Sequence, residues 1–192
     1  MKKSTIIIAV LVILGLWCIS AYNSMVNIQE EATNAAANVQ SAYQRRADLI
    51  PNLVETVKGY ASHEENTLKE VVEARAKATQ ITIDPSNCTP EELAAYQKAQ
   101  GELGQALGKL LAVSEAYPDL KANENFMDLQ KQLEGTENRI NEARNKFNAV
   151  VTDYNKAIRS FPKNIFAKIF GFRQMEKFAA DAAAQNAPSV KF

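Results

Sequence analysis

No side chain between positions 4 and 29 carries a charge, and residues 5–22 (TIIIAVLVILGLWCISAY) are almost wholly apolar or small. As a helix rising about 1.5 Å per residue, that stretch covers about 27 Å, close to the ~30 Å hydrocarbon thickness of a bilayer. It is long enough to span, with little to spare. Trp17 and Tyr22 fall toward its C-terminal end, where amphipathic rings sit at a membrane–water boundary. A cleaved signal peptide is the competing reading, but no clean small-x-small cleavage site is present. A lipoprotein is excluded, because Trp17 stands where a small residue would have to precede Cys18. Lys2 and Lys3 flank the run on one side; Glu30 and Glu31 follow it on the other, with no Lys or Arg before Arg45. The positive-inside rule then predicts a single-pass protein of the inner (cytoplasmic) membrane, its N-terminus cytoplasmic and residues 23–192 extracytoplasmic or periplasmic.

The remainder reads as amphipathic helix. Apolar or small residues recur at Ala35, Val39, Ala42, Leu49, Leu53, Val57, Tyr60, Leu68, Val71 and Ala78, in steps of three, four or their multiples. That is the stripe of one helix over residues 23–79. Pro51 stands inside it, removing the amide that would bond the Ala47 carbonyl and pressing its ring on that turn. The stripe keeps its phase through the proline, which predicts a bend; a break with Asp48 as N-cap of a second helix is the alternative. Residues 81–92 (ITIDPSNCTPEE) form the next connection, where Asp-Pro opens a turn and Thr89-Pro90-Glu91-Glu92 is a capping box with proline at the first helical position.

The second helix carries Leu93, Tyr96, Leu103, Leu107 and Leu110 and stops near Tyr117-Pro118. Gly101, Gly104 and Gly108 share one of its sides, either as a smooth strip for a close neighbour or as tolerated flexibility. A third helix over about residues 123–161 has Phe126, Leu129, Leu133, Ile140, Phe147, Val151, Tyr154 and Ile158 on its stripe, at steps near 3.5. Helices with short joints cannot bury such stripes alone. The prediction is an all-α protein, an N-terminal transmembrane helix followed by an antiparallel bundle of long helices. With three of them the last runs parallel to the first, so residues 162–173 (PKNIFAKIFGFR) cap the end of the bundle far from the membrane; a segment lying in the membrane interface is the alternative.

Little in the sequence points to catalysis. Lys+Arg and Asp+Glu number 22 each, and no basic stripe with interleaved aromatics calls for nucleic acid. Cys18 and Cys88 lie in settings too different for a disulfide framework or a metal site. His63, in TyrAlaSerHisGluGlu, lacks the second histidine of HExxH, and Tyr60 occupies the glutamate position of Glu-x-x-His, so a solvated histidine is expected. No nucleophile elbow or phosphate loop occurs. The expectation is a non-enzyme with no cofactor, no metal and no catalytic residue.

Polar residues on the helix faces carry more information. Arg46 falls between Ala42 and Leu49 on the first stripe, and Glu137 and Arg144 lie close to the third. A lone buried charge is costly, so pairing of Arg46 with Glu137 near the bend is expected, with Arg45, Asp48 and Pro51 around it. Asn138, Asn141, Asn145, Asn148 and Asn155 recur along the third helix, although asparagine is a poor helix former. They mark either a solvated flank or a groove for a partner's backbone. A weaker series, Asn23, Asn27, Asn34 and Asn38, starts just above the apolar run.

The blocks YNSMVNIQEE, QRRADLIPNLVETVKGYASHE, EAYPDLKANENFMDLQKQLEGTENRINEARNKFNAVVTDYN and SFPKNIFAKIFGF, in that order, resemble the LemA family of bacterial membrane proteins. The resemblance implies a single N-terminal anchor, a soluble helical domain and no established enzymatic activity. It also implies a neighbourhood of membrane metalloproteases of the HtpX type, for which a regulator or substrate adaptor is the alternative role. The organisation expected is an anchor over residues 1–22 with the membrane contact at 5–22, a LemA-like helical bundle over 23–172 and a partly disordered tail over 173–192. Its expected function is binding or scaffolding through helix faces, toward an envelope or membrane protein or a second copy of itself. Arg45, Arg46, Asp48, Pro51, Asn138, Asn141, Asn145 and Asn148 are the residues assigned to contact and helix positioning.

Overall fold

The computed structural model describes residues 3–179, and among them there is no strand. The first helix, α1, runs unbroken over Lys3–Tyr60, followed by α2 (Glu65–Gln80) and α3 (Pro90–Val113). After a 3-10 turn at Ser114–Ala116 come a single helical turn, α4 (Pro118–Lys121), the long α5 (Glu124–Arg159) and the short α6 (Lys163–Ile169). The all-α fold is as predicted. The one described helix long and apolar enough to cross a membrane is α1. Its apolar run exposes its side chains along residues 6–19, whereas Ala21, Met25, Ala32, Ala35 and Val39 further along are buried.

Pro51 sits inside α1 and does not end it. The Ala47 carbonyl, deprived of its helical partner, accepts a hydrogen bond from Arg75 Nε of α2 at 2.8 Å. A neighbouring helix thus satisfies the acceptor that the proline orphans. The predicted capping box also forms: Thr89 Oγ1 accepts from the Glu92 amide at 3.2 Å, and Glu92 Oε2 accepts from the Thr89 amide at 2.8 Å. Asn123 caps α5 by accepting from the Phe126 amide at 2.9 Å.

One expectation is overturned, with consequences for the rest of the bundle. The helix expected over residues 23–79 is two helices, because residues 61–64 reverse the chain through a turn closed by the Glu64 amide on the Ala61 carbonyl. The apolar phase conceals this reversal. Val57, Ala61 and Leu68 are all buried, so the turn itself supplies a stripe residue at helical spacing. The extra reversal makes four long helices, not three, and turns α5 antiparallel to α1. Residues 162–173 therefore lie at the anchor end, beside Trp17 and Tyr22, rather than capping the far end. α1 packs chiefly on α5, and α2 on α3.

Lengths then decide how the core is filled. At ~1.5 Å per residue, α2 and α3 extend about 24 and 36 Å against about 54 Å for α5. Far from the anchor all four helices enclose one cluster, including Ile50, Leu53, Val57, Leu103, Leu110, Phe126 and Leu133. Nearer the anchor α1 and α5 outrun their neighbours. There the cluster around Met25, Val39, Phe147, Val151 and Tyr154 is closed by Ile81, Ile83 and Cys88 of the α2–α3 connection, by Ala167 of α6, and by Met175 and Phe178. The last two belong to an extended strap, residues 172–179, within the stretch expected to be tail. Residues 180–192, where the fraying was expected, lie outside the described residues.

Candidate functional site

Between the two apolar clusters lies a polar layer centred on Arg46, which is 3% exposed. Its Nη1 donates to Glu137 Oε1 of α5 at 2.7 Å, the expected pairing. Its Nη2 donates to the side-chain oxygen of Gln100 on α3 at 2.6 Å and to the Gln100 carbonyl at 3.0 Å. Gln100 Nε2 in turn donates to the Ala78 carbonyl in the last turn of α2 at 3.2 Å. One guanidinium thus ties α1 to α3 and α5, and through Gln100 to α2. The rigid fork of arginine suits several acceptors at fixed angles, and its face lies over the Tyr43 ring at 5.2 Å. Gly104 does not require its missing side chain, since a Cβ there would stand at ordinary contact distance, 3.8 Å, from Arg46 Nη1, and Gly101 and Gly108 face open space. The close backbone approach along the whole glycine strip does not occur. Burial, reinforced by Tyr43, pushes the Tyr96 phenol in the same layer well above the usual tyrosine range, with Arg46 opposing.

The second site is a clamp on polypeptide backbone. The Asn155 amide donates to the Met175 carbonyl at 2.8 Å and its oxygen accepts from the Met175 amide at 3.0 Å. Asn148 repeats this with both backbone groups of Phe178, each at 2.9 Å. Seven residues of α-helix advance about 10.5 Å, and three residues of extended chain about 10 Å. Carboxamides at i and i+7 on α5 therefore stay in register with strap residues three apart. Arg144 adds a 2.7 Å bond to the Ala179 carbonyl and lies over the Phe178 ring at 5.5 Å, while Phe178 meets the Phe147 edge at 5.3 Å. Bonds to its main chain fix the strap; the Met175 and Phe178 side chains are buried in the core.

The two readings of the asparagine series divide it. Asn148 and Asn155 line a backbone groove, occupied by the chain's own strap, and Asn138, Asn141 and Asn145 are exposed. Asn141 lies seven residues before Asn148 on the same face. It borders a cleft between α3 and α5 shared with Arg46, Gln97, Glu137 and Ala179. Asn23, Asn27, Asn34 and Asn38 are exposed. So are Arg45 and Asp48, the latter accepting from Gln44 at 2.7 Å. His63 is exposed as well, on the α1–α2 turn rather than on a helix. Gln100 and Arg75 were not singled out from sequence; the only signals available were a glutamine on a buried stripe and an arginine facing the orphaned Ala47 carbonyl.

Fold and sites together define a helical-bundle protein carried on one helix long and apolar enough to cross a membrane, its buried polar side chains spent on joining helices and holding backbone. The model of the LemA family matches residues 35–192, and the chain belongs to that family. Among its relatives, magnetosome protein MamQ of Magnetospirillum gryphiswaldense is 29% identical over 174 residues, covering 82% of this chain and 64% of the relative. Magnetosome protein MamQ 1 of Paramagnetospirillum magneticum is 28% identical, with 86% of this chain and 67% of the relative covered. Protein LemA of Metamycoplasma hominis is 27% identical over 146 residues, 76% of this chain and 63% of the relative. The match thus spans under two thirds of two of these relatives.

Proposed function

We propose that this LemA-family protein is a non-catalytic, membrane-anchored binding or scaffolding module that engages an envelope or membrane protein through the asparagine face of α5 and, on the other flank of that helix, through the exposed Arg45 and Asp48, which share a groove with Arg139 and Lys146. The observation that carries this reading is the paired capture of backbone by Asn148 and Asn155, which demonstrates the chemistry on the chain's own strap. Carboxamide-to-backbone pairing is indifferent to sequence, so the unoccupied continuation of this face, beyond the strap that fills the groove at Asn148 and Asn155, suits an extended segment of a partner. Asn138, Asn141 and Asn145 continue the polar face into solvent, where a partner can reach it. In this reading the anchor holds the N-terminus in the cytoplasm and the bundle outside it, on the strength of Lys2 and Lys3.

Site-specific photo-crosslinking in intact cells, with probes at Arg45 and Asn141 and a control at Glu73 on α2, tests the proposal. One recurrent protein captured at Asn141 or Arg45 and absent from the Glu73 control supports it, as do adducts confined to a second copy of the chain. The same scattered adducts at all three positions would remove it.

A further inference from the structure

At the anchor end, α6 presents a face that the bundle does not use. Ala167 points into the core, but Phe161 is 81% exposed, Ile165 49% and Ile169 70%. Ile165 and Ile169, four residues apart on α6, form one apolar ridge, with Phe170 beside it at 48% exposure, and Phe161 stands exposed in the turn that leads into the helix. From Tyr154 to Met175 the chain carries Lys156, Arg159, Lys163, Lys168 and Arg173 and no acidic residue. An apolar ridge edged only by cations is the composition of a helix that lies in a membrane interface.

The level of α6 along α1 names the surface it meets. Phe166 packs edge-on against Trp17 at 5.4 Å, and Phe170 and Phe172 pack against Tyr22 at 4.9 and 5.8 Å. Trp17 lies five residues, or about 7.5 Å, inside the end of the apolar run. If the bilayer boundary stood at Trp17, residues 5–17 would cover only about 20 Å of a ~30 Å hydrocarbon layer. The boundary therefore falls near Tyr22, and Phe166 sits within the 5–10 Å depth typical of interfacial helices. Lys163, whose Nζ reaches Ser24 Oγ at 3.1 Å, is then level with the headgroups.

We infer that α6 is a second, non-spanning membrane contact: its Ile165–Ile169 ridge, with exposed Phe161 of the preceding turn, is immersed at the headgroup–acyl boundary of the leaflet on the bundle's side, with Lys163, Lys168 and Arg173 against lipid phosphates. The foot adds a second contact that fixes the tilt of the bundle over the membrane, which one crossing helix alone does not. This inference rests on the spanning anchor and is independent of what the α5 face binds.

The test uses the full chain, with Cys18→Ser and Cys88→Ser, in nanodiscs of phosphatidylethanolamine and phosphatidylglycerol. Spin labels are placed singly at Ile165→Cys, Ile169→Cys and, as a solvent control, Glu73→Cys. The ratio of collision rates with oxygen to those with a water-soluble nickel chelate is expected to be several-fold higher at 165 and 169 than at 73. A ratio equal to the control overturns the inference, and so does low accessibility to both reagents, which would mean that protein covers the ridge. The unsubstituted chain gives a second reading: a photoreactive lipid with its reactive group high on the acyl chain is expected to label residues 161–173 as well as the anchor. Labelling confined to the anchor would overturn the inference.

Discussion

The polar layer makes an asymmetric prediction about stability. Arg46 is buried, but its two partners differ: Gln100 is 7% exposed, whereas the Glu137 side chain is 44% exposed. Glu137→Gln leaves a neutral acceptor in place and removes a charge pair that water already screens from one side. The cost is expected to stay under about 1 kcal/mol. Gln100→Leu matches the volume but removes one acceptor and one donor at once. The Arg46 Nη2 loses its 2.6 Å side-chain partner, and the Ala78 carbonyl loses its 3.2 Å donor. Leaving a buried group short of a partner costs about 1–3 kcal/mol, here for the guanidinium and for the Ala78 carbonyl, although Nη2 keeps the Gln100 main-chain carbonyl at 3.0 Å. Against a typical domain stability of roughly 5–15 kcal/mol, that is a large share. Urea unfolding of the full chain in a mild detergent, followed by far-ultraviolet circular dichroism, measures both variants. Arg46→Lys is expected to fall near Gln100→Leu, because a point charge cannot reach two helices with fixed angles. If Glu137→Gln cost as much as Gln100→Leu, the claim that the neutral glutamine is the principal partner of Arg46 would be refuted.

Three further outcomes follow from single contacts. Arg75→Met orphans the buried Ala47 carbonyl and is expected to cost about 1–3 kcal/mol, but under about 1 kcal/mol in a Pro51→Ala background, where α1 regains its own donor; a double-mutant cycle reads the coupling. Gly108→Ala, in mid-helix with open space around the added Cβ, is expected to stabilise the chain by about 0.5–1 kcal/mol in the same unfolding assay. Burial raises the Tyr96 pKa in the folded state, so its contribution to stability is fully present below the ordinary tyrosine value near ~10 and is lost as pH rises beyond it; tyrosinate absorbance should show this phenol silent until the bundle unfolds.

The parts of this molecule legible in its sequence are those governed by local rules. The apolar run, the Thr89 capping box, the α5 stripe and the tolerance of Pro51 each follow from a few neighbouring residues. The Arg46–Glu137 contact follows from the cost of an unpaired charge on a stripe. The reversal at residues 61–64 was not legible, because buried Ala61 preserves the spacing between Val57 and Leu68 and no proline breaks it. Ser62 and Glu65 stand at capping-box spacing where α2 begins, yet no side-chain cap forms there. That one missed turn inverted the direction of α5 and sent α6 to the wrong end. The strap was hidden for another reason. An extended segment held by side-chain amides has no period of its own, and its only trace was the seven-residue recurrence of Asn141, Asn148 and Asn155 on a different element.

The claim that α5 binds extended backbone is tested most directly by hydrogen exchange at the Met175 and Phe178 amides of the full chain, since each donates to an asparagine oxygen at 3.0 and 2.9 Å. The account predicts slow exchange at both, lost in Asn148→Ala/Asn155→Ala while the amides of α2 and α3 keep their protection. Exchange at the rate of an unstructured peptide in the unsubstituted chain would contradict it.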